Sequence, residues 1–364
     1  EVVVERLSAD FRGATRVMTR TLSSPLQDGE SLVRMSYVGV NASDVNFTAG
    51  KYIPGVEPPF VAGFEGVGTV VAGDADLGAA VGVMAFGAFS EYLVVPSKLL
   101  IPLGGEAWVS PEKEALPLLV SGLTASLALE EVGEMGNHGK ERVLVTAAAG
   151  GTGSFAVQLA KLAGHHVVGT CSSDSKAKFL KETLGADEVL NYKEEEHIPL
   201  VDRIKRYFPK TTKESGFSSW YGRQGPTLVY ESVGGEMFDA SVEALSRKGK
   251  LIVIGAIAGY QDGSALSKKT RGGGEESEEA SAPPPPLPMQ LLPKSASVRG
   301  FFLNDFQRQA PEHLMKLYSL VKEGKLLSAV DKTLFEGLDS VADAVDHMYA
   351  RKNVGKVVVK VAPG

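Results

Sequence analysis

The run "VTAAAGGTGSFAVQLA", Val145 to Ala160, places Ala147, Gly150 and Gly153 at the spacing of a dinucleotide fingerprint whose first glycine is alanine. Small residues let the backbone approach a pyrophosphate. The helix that follows supplies N–H groups and a partial positive charge at its N-terminus. A glycine pattern alone is a weak signal. Here it follows an apolar strand and opens a helix, the context that gives it weight; the bland reading is a tight strand–helix turn. The second strand ends in "GTCSSDSK", Gly169 to Lys176. An NAD site wants an acid at that tip to accept from the ribose hydroxyls. Thr170, Cys171, Ser172 and Ser173 are neutral, and Asp174 falls late, where it can cap the next helix. Ser173 and Lys176 suit a 2′-phosphate instead, with Tyr192 of "LNYK" closing over it. The pattern therefore favours NADPH, against a bland reading of Lys176 as an exposed helix lysine.

A second constellation is "AGFEGVG", Ala62 to Gly68, where one carboxylate, Glu65, stands among glycines and apolar residues. It is read as a structural carboxylate that accepts backbone or arginine hydrogen bonds in a glycine-tight turn. Tyr52 in "GKY" and Tyr260 in "AGYQ" are candidate proton donors, each with the alternative of a rim aromatic that packs on a substrate. "YSLVK", Tyr318 to Lys322, puts a tyrosine and a lysine on one helix face, but far downstream of a mid-chain glycine loop. It is read as chance.

These residues need a scaffold of about two domains, since the chain has 364 residues. Through about Val120, short β-type runs such as "SLVRMSYVGV", "VGTVVAG" and "EYLVVP" alternate with glycine and proline turns, as in an irregular β domain. From about Ser121 strands and helices alternate, which predicts a parallel sheet with helices on both faces. "PEHLMKLYSLVKEG" predicts a helix with Leu314, Leu317, Leu320 and Val321 on one face. "GKVVVKV" predicts a last strand that pairs back onto the first domain, making that domain discontinuous. The expected fold class is α/β: a doubly wound parallel sheet at 121–307 and a β-rich domain from 1–120 and 308–364. Two segments read as insertions, Lys210 to Gly225 and the low-complexity Ser267 to Gln290. The second is too polar to offset its ordering entropy and is expected to be a mobile loop. Net charge is −6, which argues against a nucleic-acid footprint. A single cysteine, Cys171, allows no intrachain disulfide and points to a reducing compartment. No apolar run approaches the ~20 residues that span a bilayer.

The succession "GVNASDVNFTAGKY", "FEGVG", "LVTAAAGGTG", "GTCSSDSK", "VYESVGG" and "SASVRGFFLN" resembles the medium-chain dehydrogenase/reductase superfamily, in its zinc-free quinone-oxidoreductase branch. The resemblance covers nearly the whole chain apart from the two insertions. It implies a Rossmann-type cofactor domain and a GroES-like catalytic domain. It implies that Gly150, Gly151, Thr152 and Gly153 meet the pyrophosphate. Ser173, Lys176 and Tyr192 would take the adenosine phosphate. Ser232, Gly255, Ala256 and Ile257 would lie near the nicotinamide, flanked by Phe302 and Leu303, and Asn353 of "KNVGK" would contact the cofactor. Asn41 would sit in the active cleft. The low-complexity insert follows "AIAGYQ", where the family has a short substrate-covering loop, so substrate range is the part least transferable.

Zinc-dependent members of the superfamily read Gly-His-Glu where this chain reads Gly63-Phe64-Glu65. Phenylalanine cannot bind a metal, and the cysteine ligands are missing. The six histidines, His138, His165, His166, His197, His313 and His347, are dispersed and read as surface or helix-end residues. No catalytic metal is expected. Alcohol oxidation usually needs a metal or a tuned acid–base pair. Enone reduction needs a hydride on the β-carbon and fixed donors for the enolate oxygen. The expected activity is therefore NADPH-dependent reduction of the carbon–carbon double bond of α,β-unsaturated ketones, by resemblance 15-oxoprostaglandins or related lipid enones. An NADPH:quinone reductase and a non-catalytic NADPH-binding scaffold or lipid-binding protein are the alternatives. The expected partners are a lipophilic enone and a second copy of the chain, with no nucleic acid and no integral membrane. The expected location is intracellular, by resemblance the peroxisome and otherwise the cytoplasm.

Overall fold

The structure, a computed structural model, describes residues 1–21, 25–53, 55–103, 112–137, 139–209, 224–261 and 285–361. It divides into two compact units. Unit 1 comprises Glu1–Leu127, Ala149–Phe155 and Leu303–Gly364; unit 2 comprises Ala128–Ala148 and Ala156–Phe302.

The strands follow in chain order. Unit 1 contributes β1 (Val2–Val4), β2 (Thr15–Val17), β3 (Glu30–Gly39), β4 (Phe60–Val61), β5 (Glu65–Gly73), β6 (Ala80–Met84), β7 (Tyr92–Pro96) and β8 (Ile101–Pro102). Unit 2 contributes β9 (Arg142–Val145), β10 (His166–Cys171), β11 (Glu188–Asn191), β12 (Leu228–Glu231), β13 (Lys250–Val253) and β14 (Ser297–Gly300). The chain then returns to unit 1 with β15 (Phe335–Glu336) and β16 (Val358–Lys360).

Unit 2 is a parallel sheet in the order β11-β10-β9-β12-β13-β14. This is the doubly wound order, which reverses direction between β9 and β12; ligands bind beyond the carboxyl ends of such strands. Its strands are short apolar runs, "RVLV", "HVVGTC", "LVYE" and "KLIV", buried along almost their whole length. Strands covered by helices on both faces need that continuous apolar character. Leu144, Val168, Val229 and Leu251 of the sheet pack with Ile204, Phe208, Met237 and Val242 from the helical segments.

Unit 1 is antiparallel and more irregular. β3 pairs β16 through Tyr37–Gly39 and β7 through Glu30–Arg34, while β5 runs beside it from Ser31 to Val38. The last strand thus rejoins the sheet built from the first hundred residues, as "GKVVVKV" predicts. A small second sheet, β2-β1-β4, buries Val2, Val3 and Val4. The helix Ala310–Lys322 turns His313, Leu314 and Leu317 inward.

Two expectations need correction. Leu287–Leu291 is helical, so the end of the expected mobile loop at Ser267 to Gln290 is ordered; Pro286 precedes the helix and Pro288 sits in its first turn, where a missing N–H costs nothing. Residues 267–284 of that loop, and nearly all of the Lys210 to Gly225 insertion, lie outside the described residues. Nor are the histidines all peripheral. His165 and His313 are buried; the first accepts from Glu141 N at 3.0 Å, and the second shares a 2.7 Å hydrogen bond with Ser126 Oγ. His138 lies outside the described residues.

Candidate active site

In unit 2 the expected residues form two groups at the carboxyl ends of the strands. One group lies at the ends of β10 and β11. Tyr192 N donates to Cys171 O at 3.0 Å, which brings Tyr192 beside the turn that carries Ser173 and Lys176. Ser173, not Asp174, caps the helix Asp174–Lys178 by accepting from Lys176 N. Asp174 instead accepts from Asn191 Nδ2 at 3.1 Å. The strand tip therefore presents neutral hydroxyls and a lysine. Burial pushes the Cys171 thiol up, which leaves it a weak nucleophile.

The other group lies at the ends of β12 and β13. Ser232 N donates to Thr146 Oγ1 at 2.9 Å, and Ile257 N donates to Ser232 O at 3.3 Å. Tyr260 folds back so that its hydroxyl accepts from Ala256 N at 2.9 Å. A side chain on Gly255 would stand 2.9 Å from that oxygen, so the glycine leaves the tyrosine hydroxyl room to sit without a shift. The hydroxyl accepts one bond and keeps its own proton to give. Burial raises its pKa, with only a partial offset from the Ala256 bond, so it stays protonated through neutral pH. Phe302, just past β14, is 42% exposed.

Unit 1 holds the remaining residues. The helix Gly151–Leu162 begins inside the glycine run, so the N–H groups of Gly151, Thr152 and Gly153 have no intrahelical acceptor. Ala147, in unit 2 at the alanine position of the fingerprint, takes φ +46, the left-handed turn that a glycine adopts at no cost. Asn353 Nδ2 donates to Gly355 O at 2.9 Å, and Gly355 N donates to Ala149 O at 2.7 Å. Asn353 thus stands on a short segment bonded to the glycine run. Leu303 opens the turn Leu303–Phe306.

Asn41 lies in a charged network that sequence reasoning did not find. Lys356 Nζ contacts Glu65 Oε1 at 2.5 Å and donates to Asn41 Oδ1 at 2.6 Å. An ammonium only donates, so the Asn41 amide is oriented by it; Asn41 Nδ2 in turn donates to Glu65 Oε1 at 2.9 Å. Val120 N, at the start of the helix Val120–Leu127, donates to Glu65 Oε2 at 3.0 Å. Glu65 is structural as read, but its partner is a lysine rather than an arginine, and it opens a strand rather than a turn. Asp44 adjoins the network, accepting from Asn41 N at 2.7 Å; burial pushes its carboxyl up to about 8.

Tyr52 packs on Phe64, with ring centroids 5.2 Å apart. Phe64 also meets Phe47 at 5.1 Å and Phe86 at 5.2 Å, and Phe47 meets Phe60 at 4.7 Å. Phe47 is buried at the base of this cluster and Phe86 is 45% exposed. The cluster is the second feature missed from sequence. The residues do not fit zinc. Phe64 is committed to the aromatic cluster, Glu65 is bound by an ammonium, and Cys171 is in β10. Among the described residues, no group of three or more His, Cys, Asp or Glu is placed to hold a metal ion.

Two family models match the chain: an alcohol dehydrogenase GroES-like domain over residues 27–105 and a zinc-binding dehydrogenase over residues 151–319. With the doubly wound sheet and the returning β16, these matches define the class: the chain belongs to the medium-chain dehydrogenase/reductase superfamily. Within it, the chain is 47% identical over 373 residues to prostaglandin reductase-3 of Mus musculus, spanning 99% of this chain and 89% of that protein. It is 41% identical to a probable quinone oxidoreductase of Leishmania amazonensis, over 98% of this chain and 96% of that protein. A mycobacterial protein solved in complex with NADPH superimposes with a TM-score of 0.76 at 27% identity, covering 99% of this chain and 98% of that one.

Proposed function

We propose that this protein uses NADPH to reduce the carbon–carbon double bond of α,β-unsaturated ketones, with 15-oxoprostaglandins or related lipid enones as the substrate class. The observation that carries the reading is the 47% identity, over essentially the whole chain, to a prostaglandin reductase. The residues present suit the cofactor. Neutral Ser173 and cationic Lys176 at the β10 turn favour a 2′-phosphate, with Tyr192 against it. Gly150, Gly151, Thr152 and Gly153 offer backbone N–H groups to the pyrophosphate, Ser232, Gly255, Ala256, Ile257, Phe302 and Leu303 are assigned to the nicotinamide half, and Asn353 to the cofactor without a finer place. When bound, NADPH supplies the hydride that adds to the β-carbon of the enone.

The chain's own groups deal with the charge and the proton. Tyr260 donates a hydrogen bond to the carbonyl oxygen as negative charge develops there, since its proton is uncommitted by the bond from Ala256. The α-carbon of the enolate then takes a proton from solvent or a tyrosine to give the saturated ketone. The aromatic surface of Tyr52, Phe64 and Phe86 gives a lipid chain an apolar face. Asn41 acts as a positioning residue, its amide being held by Lys356 and Glu65. The mechanism needs no metal, because the enolate is stabilised by hydrogen bonds alone.

The test is a panel of 2-alkenones, 15-oxoprostaglandins and quinones, offered with NADPH and with NADH. The expected result is NADPH oxidation with the saturated ketone as product and little turnover with NADH. Turnover confined to quinones would replace the reading with a quinone reductase; tight NADPH binding without turnover on any acceptor would replace it with a binding protein. A second copy of the chain and a peroxisomal location belong to the same proposal; sedimentation and fractionation of the full-length protein test them. No helix among the described residues is long and apolar enough to cross a membrane.

A further inference from the structure

Lys356 is 2% exposed and Glu65 0%. A buried ion pair is expensive to assemble from hydrated charges, so its presence calls for an account of what it fixes. Its place in the chain supplies one. Lys356 follows Gly355, whose N–H donates to Ala149 O at 2.7 Å, and Gly355 pairs with Gly150 in a parallel bridge. The stem of Lys356 lies along the start of the next helix: a side chain on Gly151 would come within 3.3 Å of Lys356 Cδ. On the other side of the segment, Lys356 N donates to Ala329 O at 2.9 Å and Asp331 N donates to Lys356 O at 2.8 Å.

We propose that Lys356 is a positioning residue for the pyrophosphate-binding glycine run. Its ammonium is clamped to Glu65 at the head of β5 and to Asn41 after β3. The segment Asn353–Lys356 is thereby pinned to the rigid sheet of unit 1, and through Gly355 it sets where Ala149–Gly151 stand. Glu65 is fixed independently by Val120 N, so the clamp has a firm end. A shift of the segment moves the N–H groups of Gly151, Thr152 and Gly153 off the phosphate oxygens, and hydrogen bonds weaken steeply with lost alignment. Lys356 contacts neither phosphate nor substrate in this account. The proposal rests on the NADPH reading above and extends it to a residue outside the fingerprint.

The experiment compares two ligands on Lys356→Met and Glu65→Gln, with folding monitored by thermal melting. NADPH engages the glycine run. Adenosine 2′-monophosphate lacks the pyrophosphate and reports only on Ser173, Lys176 and Tyr192. Wild-type protein that binds neither ligand sinks the NADPH reading itself. Given wild-type binding, the proposal expects Lys356→Met to weaken NADPH about 10-fold or more while adenosine 2′-monophosphate is unchanged, with Lys356→Arg restoring part of the loss. Equal NADPH affinity in folded Lys356→Met, or parallel loss of both ligands, overturns it. Should Lys356→Met fail to fold, Glu65→Gln carries the same test, because it keeps the shape of the side chain and one acceptor oxygen while removing its charge; unchanged NADPH affinity there is equally fatal.

Discussion

Among the described residues two glutamates are completely buried, one in each unit, and they are accommodated in opposite ways. Glu65 in unit 1 meets a cation, Lys356, brought from the far end of the chain. Glu231 in unit 2 meets neutral donors, two of them local: Val233 N at 2.8 Å and Gly234 N at 3.0 Å, with Thr146 Oγ1 at 3.4 Å from the end of β9. Without a cation, burial pushes Glu231 up to about 7, the two backbone bonds offsetting only part of the desolvation. The local solution closes a turn: Glu231 ends β12, and its carboxylate holds the chain that enters the helix Gly235–Ala244. The long-range solution closes a domain, because it ties the last segment of the chain to β3 and β5. The first exposes the fold to pH; the second exposes it to the loss of either partner.

The largest effect should follow from breaking the pair. Lys356→Met leaves Glu65 charged and unpaired and should cost about 3–5 kcal/mol, measured by denaturant unfolding. The double variant Glu65→Gln/Lys356→Met should recover much of that, and equal losses in single and double variants would show that the charge is not the issue. Next, Tyr260→Phe should lower kcat about 100-fold on an enone, the scale for removing one donor to an oxyanion. An unchanged kcat would move the proton donor elsewhere, to Tyr52 first.

The third prediction concerns pH. In the folded chain burial pushes Asp44 up to about 8 and Glu231 up to about 7, from ordinary values of 3.8 and 4.5. Between those limits the folded state binds more protons than the unfolded chain, so stability is greatest at low pH and falls as pH rises. Each group contributes a slope of at most about 1.4 kcal/mol per pH unit. Asp44→Asn and Glu231→Gln should each flatten the fall, measured as unfolding free energy from mildly acidic to slightly alkaline pH. A slope that both variants leave intact would show that neither acid carries it. The smallest effect is expected at the β10 turn. Lys176→Ala should raise the KM for NADPH with little change in kcat, since a phosphate contact binds ground and transition states alike. An unchanged KM would remove Lys176 from the phosphate site.

What the chain announces in advance follows from how local the cause is. The strands of unit 2 are legible because burial on both faces demands continuous apolar runs, and the run Ala147–Gly153 is legible because it is short and contiguous. Glu231 sits inside "YESVGG", where its two backbone donors are two and three residues away. Lys356 is not legible in this way. In "GKVVVKV" it reads as one polar residue of a final strand, and only the pairing of β16 with β3 brings it to Glu65. The cluster of Phe47, Phe60, Phe64 and Phe86 comes from separate segments with no shared period, so no window reveals it. The helix Leu287–Leu291 was hidden by the proline run before it, since composition describes a segment's average and not its last turn.

The most direct test is an isotope measurement. The protein is given a 2-alkenone and NADPH carrying deuterium at the transferable position, and the product is read by mass spectrometry and NMR. The account predicts a saturated ketone with deuterium on the β-carbon. An allylic alcohol with deuterium on the carbonyl carbon would contradict it, as would NADPH consumption that leaves the enone unlabelled and intact.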